Sequence, residues 1–215
     1  MQGALAANIE RRVFLSCKTH AATDVLLGKI AELQQQLQQW RLTHPAIVER
    51  SIDSRLLDLP LFRMAGRENL ATGVTPLKRN KDRQADDPKA LEMVLAQRHC
   101  IVASTPGGTY GMLKDADRAL TGQAFCHCLV LDEASQMNLP EALLAAAPLA
   151  PDGQLIVVGD DRQMPPIIKH DWTNERRRTF QQYRAFESLF SMLRGQTPPM
   201  IKFAESFRLH ASMAA

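Results

Sequence analysis

The sequence predicts an α/β protein: a parallel sheet with helices on its flanks. Three observations lead there. Four short runs, Val13–Leu15, Cys100–Ala103, Cys128–Leu131 and Leu155–Val158, are continuously apolar rather than alternating, as strands covered on both faces are. Helical or polar stretches separate them, as βαβ crossovers require. Each run then ends in small or polar residues: Ser16-Cys17, Ser104-Thr105, Asp132-Glu133 and Gly159-Asp160. In open parallel sheets, ligands bind beyond the carboxyl ends of the strands.

Taken in order, the strand at Val13 is followed by a helix from about Ala21 to Trp40. Ala22, Leu26, Ile30, Leu33, Leu37 and Trp40 recur there at steps of three and four, with the glutamines of 34–39 on the polar side. Residues 45–60 suggest a helix or turn leading to a short strand at Leu61–Met64. Residues 67–89 are polar, contain Gly73, Pro76 and Pro88, and read as a long surface excursion. A helix is expected over Ala90–Gln97. After the strand at Cys100, Ser104-Thr105-Pro106-Gly107-Gly108 reads as a small-residue loop. Asn138, with Pro140 and Glu141 behind it, has the pattern of a capped helix start. A last helix is expected over Phe186–Arg194.

Composition narrows the class without naming it. In 215 residues, 45% are hydrophobic and 23% charged, which suits a globular domain. No apolar run approaches the roughly 18 residues that span a bilayer, and the N-terminus does not read as a signal peptide. A cytoplasmic protein without a membrane partner is expected. The net charge of +3 is too small to diagnose a nucleic-acid partner. The basic clusters Lys78–Arg83 and Glu175–Arg178 both have acidic neighbours and read as solvated loops. Cys126-His127-Cys128 lacks the spacing of a zinc site, so both cysteines read as small strand residues.

Chemistry concentrates in two segments. Leu129-Val130-Leu131-Asp132-Glu133 is a buried strand delivering two carboxylates to the sheet edge, the Walker-B pattern. Magnesium keeps several waters and takes one or two carboxylates. Asp132 suits that hydrated ion, and Glu133 suits a base that orients attacking water. A strand ending in Asp-Glu can equally cap the next helix. The second segment, Gly159-Asp160-Asp161-Arg162-Gln163-Met164-Pro165-Pro166, follows the next strand. Gln163 can donate to and accept from a phosphate or its water, and two prolines stiffen the chain behind it.

These two segments resemble motifs II and III of the superfamily 1B helicases related to the nonsense-mediated-decay helicase. Asp132-Glu133-Ala134-Ser135-Gln136 matches the first, and Gly159–Pro166 matches GDxxQLPP with Met164 in place of Leu. Val13–Asp24 resembles motif Ia and Ile101–Gly108 the next backbone-contacting loop. The resemblance implies nucleic-acid contacts at Thr19, His20, Ser104 and Thr105, all of which are also residues that favour caps and loops. Ser206-Phe207-Arg208-Leu209-His210 resembles the passage into a second motor domain. It implies that Arg208 is an arginine finger, although Phe207, Leu209 and Ala211 depart from the family's Tyr, Met and Pro.

The resemblance therefore implies a first RecA-like motor domain over residues 1–200, with 67–89 an insertion or loop, and the start of a second domain at 201–215. It implies ATP and Mg2+ as cofactors, single-stranded DNA or RNA as partner and a monomeric state. Catalytic roles fall to Glu133, Gln163 and Arg208. Asp132, Glu133, Gln163 and Arg208 would bind nucleotide, Asp132 holding Mg2+ through water. The P-loop pattern G-x-x-x-x-G-K-[ST] does not occur in these residues. The chain is therefore expected to be a fragment of an ATP-dependent helicase, inactive alone. A non-catalytic nucleic-acid-binding module, an inactive remnant and a nucleotide-dependent switch are the alternatives.

Overall fold

The computed structural model describes residues 1–7, 9–65, 69–116, 124–160, 162, 164–167 and 186–202. Six strands form a single sheet: β1 (Arg11–Cys17), β2 (Leu61–Met64), β3 (Val74–Leu77), β4 (His99–Ser104), β5 (Cys126–Asp132) and β6 (Leu149–Val157). Their order is β3-β2-β4-β1-β5-β6, and every pairing is parallel. The helices are α1 (Gln2–Ala6), α2 (His20–Thr43), α3 (Pro45–Ser51), α4 (Ala90–Leu95), α5 (Pro106–Asp115), α6 (Leu139–Ala146) and α7 (Leu189–Arg194). The expected parallel α/β architecture is present.

Two hydrophobic clusters cover the two faces. Leu27 and Ala31 of α2 pack with Leu15, Leu61 and Ala103 on one side. On the other, Val94 of α4, Met112 and Leu113 of α5 and Ala142 and Ala145 of α6 pack with Phe14, Val102, Leu129 and Leu131. Successive residues of a strand point to opposite faces, which is why Phe14 and Leu15 belong to different clusters. Cys126 and Cys128 are buried within β5.

Helix α2 starts where Thr19 caps it, its hydroxyl accepting from Ala22 N at 3.1 Å. Its buried stripe is Thr23, Leu27 and Ala31, with Leu26 and Ile30 partly packed beside it. That stripe is rotated from the expected one, since Leu33 and Trp40 are exposed. The glutamines take up structural work instead. Gln34 Nε2 donates to the carbonyls of Leu56 and Leu59, both at 3.0 Å, and Gln38 Nε2 to that of Leu57 at 2.5 Å. Gln35 reaches Thr72 O at 2.9 Å. These amides satisfy backbone carbonyls in the two connections that flank β2, where no strand ladder or α-helix supplies the donor.

Two segments differ from expectation. Residues 67–89 are not wholly a loop: Val74–Leu77 pairs in parallel with Leu61–Met64 as the outer strand β3. Pro76 is tolerated because an edge strand need not donate on both sides. The small-residue loop after β4 closes at once into α5. Thr105 caps it by accepting from Gly108 N at 3.2 Å, and Pro106 supplies the preset first helical position. The capping box expected at Asn138 is formed: its side chain accepts from Glu141 N at 3.0 Å, while Asn138 N donates back to Glu141 Oε2 at 3.2 Å.

Candidate functional site

The strand order locates a crevice. The chain leaves β1 towards β2 through α2 on one face, and leaves β5 towards β6 through α6 on the other. β1 and β5 are neighbours, with Cys17 opposite Asp132. Connections that diverge from adjacent parallel strands open a cleft at their carboxyl ends, the usual ligand position in such sheets. Its walls here are the turn after Cys17 and the turn after Asp132.

Asp132 ends β5 half-buried, its Oδ1 accepting from Glu133 N at 3.0 Å. Glu133 itself lies in the left-handed region, with φ 54° and ψ 34°. For a residue with a Cβ this conformation costs about 1–2 kcal/mol. It turns the chain sharply out of the strand and lets Ala134–Gln136 coil into a short 3-10 turn. Ala134 N then reaches across to Val158 O at 2.9 Å, and Val158 N donates to Leu131 O at 2.8 Å. The turn bearing the two carboxylates is thereby fastened to the exit of β6, where Gly159 and Asp160 follow. Gln163 and Arg208 lie outside the described residues.

Neither Asp132 nor Glu133 is engaged in the ion pairs formed among the described residues. A nearby cation is committed elsewhere: Lys18, just past β1, is ion-paired to Glu141 on α6 and so spans the cleft. The Asp132 charge is felt by its neighbour. Burial pushes the Cys17 thiol up to about 12, and the Asp132 carboxylate adds to that rise. Two buried hydroxyls, Ser16 Oγ on β1 and Ser135 Oγ in the 3-10 turn, have no hydrogen-bond partner among the described residues.

No group of three or more His, Cys, Asp or Glu capable of holding a metal occurs among the described residues. The carboxylates of Asp132 and Glu133, at the end of β5, are of the donor type that a hydrated Mg2+ would take one or two at a time.

The remaining sequence-predicted residues divide into two kinds. Thr19 and His20 are exposed at the start of α2, on the β1 wall. Ser104 is fully buried, its hydroxyl 2.5 Å from Thr109 Oγ1, and Thr105 is buried with its oxygen engaged by Gly108 N. On that loop Gly107 and Tyr110 are the exposed positions. The Lys78–Arg83 cluster is largely neutralised. Lys78 pairs with Asp87 at 2.9 Å, holding that carboxyl below its usual range, and Arg79 pairs with Asp115 at 2.8 Å. Residues 175–178 lie outside the described residues.

Sequence reading missed Arg63. It is the bulkiest fully buried side chain, sits on β2, and pairs with Asp24 of α2 at 2.6 Å. A lone arginine in an apolar tetrapeptide gives no hint of burial. The signal available was Asp24, an acid on the buried side of a helix start.

Compared with known proteins, the chain matches no family model and no curated protein. The class these observations define is an open, all-parallel α/β sheet with two carboxylates just beyond the strand ends at its topological switch point. Among the described residues, no helix is long and apolar enough to cross a membrane.

Proposed function

We infer that this chain is part of the first motor domain of an ATP-dependent helicase or translocase of the superfamily 1B type. Its parent would hydrolyse ATP with Mg2+ and move along single-stranded DNA or RNA. The observation that carries the reading is the placement of Asp132 and Glu133. They end a central strand at the switch-point cleft, and their turn is tied to the loop of Gly159 and Asp160.

In this reading Asp132 would hold the hydrated magnesium ion, and Glu133 would accept a proton from the water that attacks the terminal phosphate. When bound, the ion would neutralise charge developing on the phosphate oxygens. Gln163, carried on the segment after Gly159, would read the presence of that phosphate, and Arg208 would complete the site from a second domain. Thr19 and His20 would meet the nucleic-acid backbone through hydroxyl and imidazole donors, aided by the positive end of α2. A cytoplasmic, monomeric parent is part of the same proposal. The β- and γ-phosphates need a cradle of backbone N–H groups and a lysine, which the parent would supply from a P-loop.

ATP turnover by the parent, with and without single-stranded DNA or RNA, tests this. Turnover stimulated by the strand, abolished by Glu133→Gln while nucleotide still binds, is the expected result. Turnover indifferent to Glu133 would overturn it. Strand binding that ignores ATP, with no turnover in the intact parent, would favour a simple nucleic-acid-binding module.

A further inference from the structure

We propose that Arg63 is a positioning residue that presents His20 to a nucleic-acid phosphate, by fixing which imidazole nitrogen faces outward. The proposal rests on the nucleic-acid reading of the α2 start given above.

Arg63 is completely buried on β2, and each of its three guanidinium nitrogens has a partner. Nε donates to Asp24 Oδ1 at 2.6 Å, and Nη1 to the carbonyl of Met64 at 2.6 Å. Nη2 points at His20 twice, 3.1 Å from the ring nitrogen Nδ1 and 3.3 Å from the backbone oxygen. Three of these four acceptors belong to the N-terminal end of α2, on its first residue and its fifth. One planar cation, anchored in the sheet, therefore holds the turn at both Asp24 and His20.

The chemistry of the pair fixes the proton. Arginine has only donors, so a nitrogen facing it must be an acceptor. Nδ1 of His20 therefore carries no proton, and the neutral ring carries its proton on Nε2. His20 is exposed, and Nε2–H is the edge left for a partner. Beside it is Thr19, also exposed, whose hydroxyl oxygen is already accepting from Ala22 N. The Thr19 O–H therefore remains free to donate as well; of the two donors in this turn, His20 is the one that Arg63 orients from behind. Lysine at 63 could keep the charge but could not hold a planar fork on several acceptors at once.

Two measurements on the full chain test this. The first is nitrogen-15 NMR of the histidine rings, with His20 assigned by its loss in His20→Gln. The expected result is a His20 ring whose Nε2 is protonated and whose Nδ1 accepts a hydrogen bond. In Arg63→Lys the Nδ1 signal should move towards that of a free acceptor nitrogen. A proton on Nδ1 of the wild-type ring, or an Nδ1 signal unmoved in folded Arg63→Lys, would overturn the proposal.

The second is binding of a short fluorescent single strand. His20→Ala should weaken it about five-fold, the scale of one hydrogen bond. Arg63→Lys should weaken it by a similar factor, and the double variant no further. Losses that multiply would show that Arg63 does not act through His20. If Arg63→Lys does not fold, Arg63→Met replaces it, since it removes the donor that faces Nδ1 without stranding a buried charge. The two results separate two failures. A correct ring signature with no effect of His20→Ala on binding would remove the nucleic-acid reading of this turn. A wrong signature removes the role of Arg63 whatever the strand does.

Discussion

Ala134 donates its backbone N–H to the carbonyl oxygen of Val158 at 2.9 Å, so the turn behind Asp132 and the exit of the neighbouring strand are held as one piece. This contact brings the two loops close enough for glycine to matter. A methyl group on Gly159 would lie 2.8 Å from Cδ2 and 3.0 Å from Cγ of Phe190, and 3.1 Å from the Ser135 backbone nitrogen. Helix α7, which carries Phe190, is itself pinned here, with Leu189 N donating to Met137 O at 3.2 Å. Neither the 3-10 turn nor α7 can retreat independently. Gly159→Ala should therefore cost about 1–3 kcal/mol of stability, the usual penalty of overpacking. An unchanged urea midpoint would show that the loops yield freely.

The ion pair of Arg63 and Asp24 makes an asymmetric prediction. Arg63 has a fully buried side chain, while Asp24 retains partial access to water. Removing the acid strands a cation inside the protein, whereas removing the cation leaves an acid that can be hydrated. Asp24→Ala should cost about 3 kcal/mol or more, and Arg63→Met distinctly less. Chemical denaturation of both variants checks the order. Equal losses would mean that the carbonyls of Met64 and His20 suffice to hold the guanidinium.

Alkaline pH should unfold the protein through its thiols. Burial pushes Cys17, Cys100 and Cys126 each up to about 12, from an ordinary value of 9.0. Between those values the unfolded chain has released protons that the folded chain still holds. Stability must then fall as pH rises from about 9 to about 12, and these thiols contribute no slope below that window. Denaturation midpoints measured across it should decline, and less steeply in Cys100→Ala. In the native protein near neutral pH, the same three thiols should resist iodoacetamide and react fully once denatured.

The legible parts of this fold were those where a local pattern and the tertiary environment agree. The middle residues of the central strands, Val13–Leu15, Cys100–Ala103 and Cys128–Leu131, are apolar because both faces are covered, and Asn138 with Glu141 reads as a cap because the cap closes within four residues. β3 was hidden because only Leu77 of its four residues is buried. α5 was hidden because Gly107 and Gly108 resemble a loop, and the cap that starts the helix there is a single threonine. The glutamines of α2 looked idle since their partners lie about 20 residues or more away along the chain. At the site, Asp132 and Glu133 could be read because a strand aims them. Arg63 could not, since its value depends on Asp24 and His20 arriving from another element.

Glu133 supplies a last prediction, because its strained backbone and its proposed chemistry pull in opposite directions. At φ 54° its Cβ crowds the backbone, a conformation that only glycine adopts freely. Glu133→Ala removes the carboxylate and keeps the crowding; Glu133→Gly removes both. The glycine variant should therefore be the more stable of the two by about 1 kcal/mol, after the entropy that glycine gains in the unfolded chain is set against the strain relieved. Thermal melts of the pair isolate the backbone effect, because neither variant carries the charge. If alanine is the more stable by about 0.5–1 kcal/mol, the ordinary entropic handicap of glycine, the turn is unstrained and the left-handed exit from β5 is simply its resting shape. If glycine is favoured, this chain gives up stability to hold a carboxylate at the mouth of the cleft.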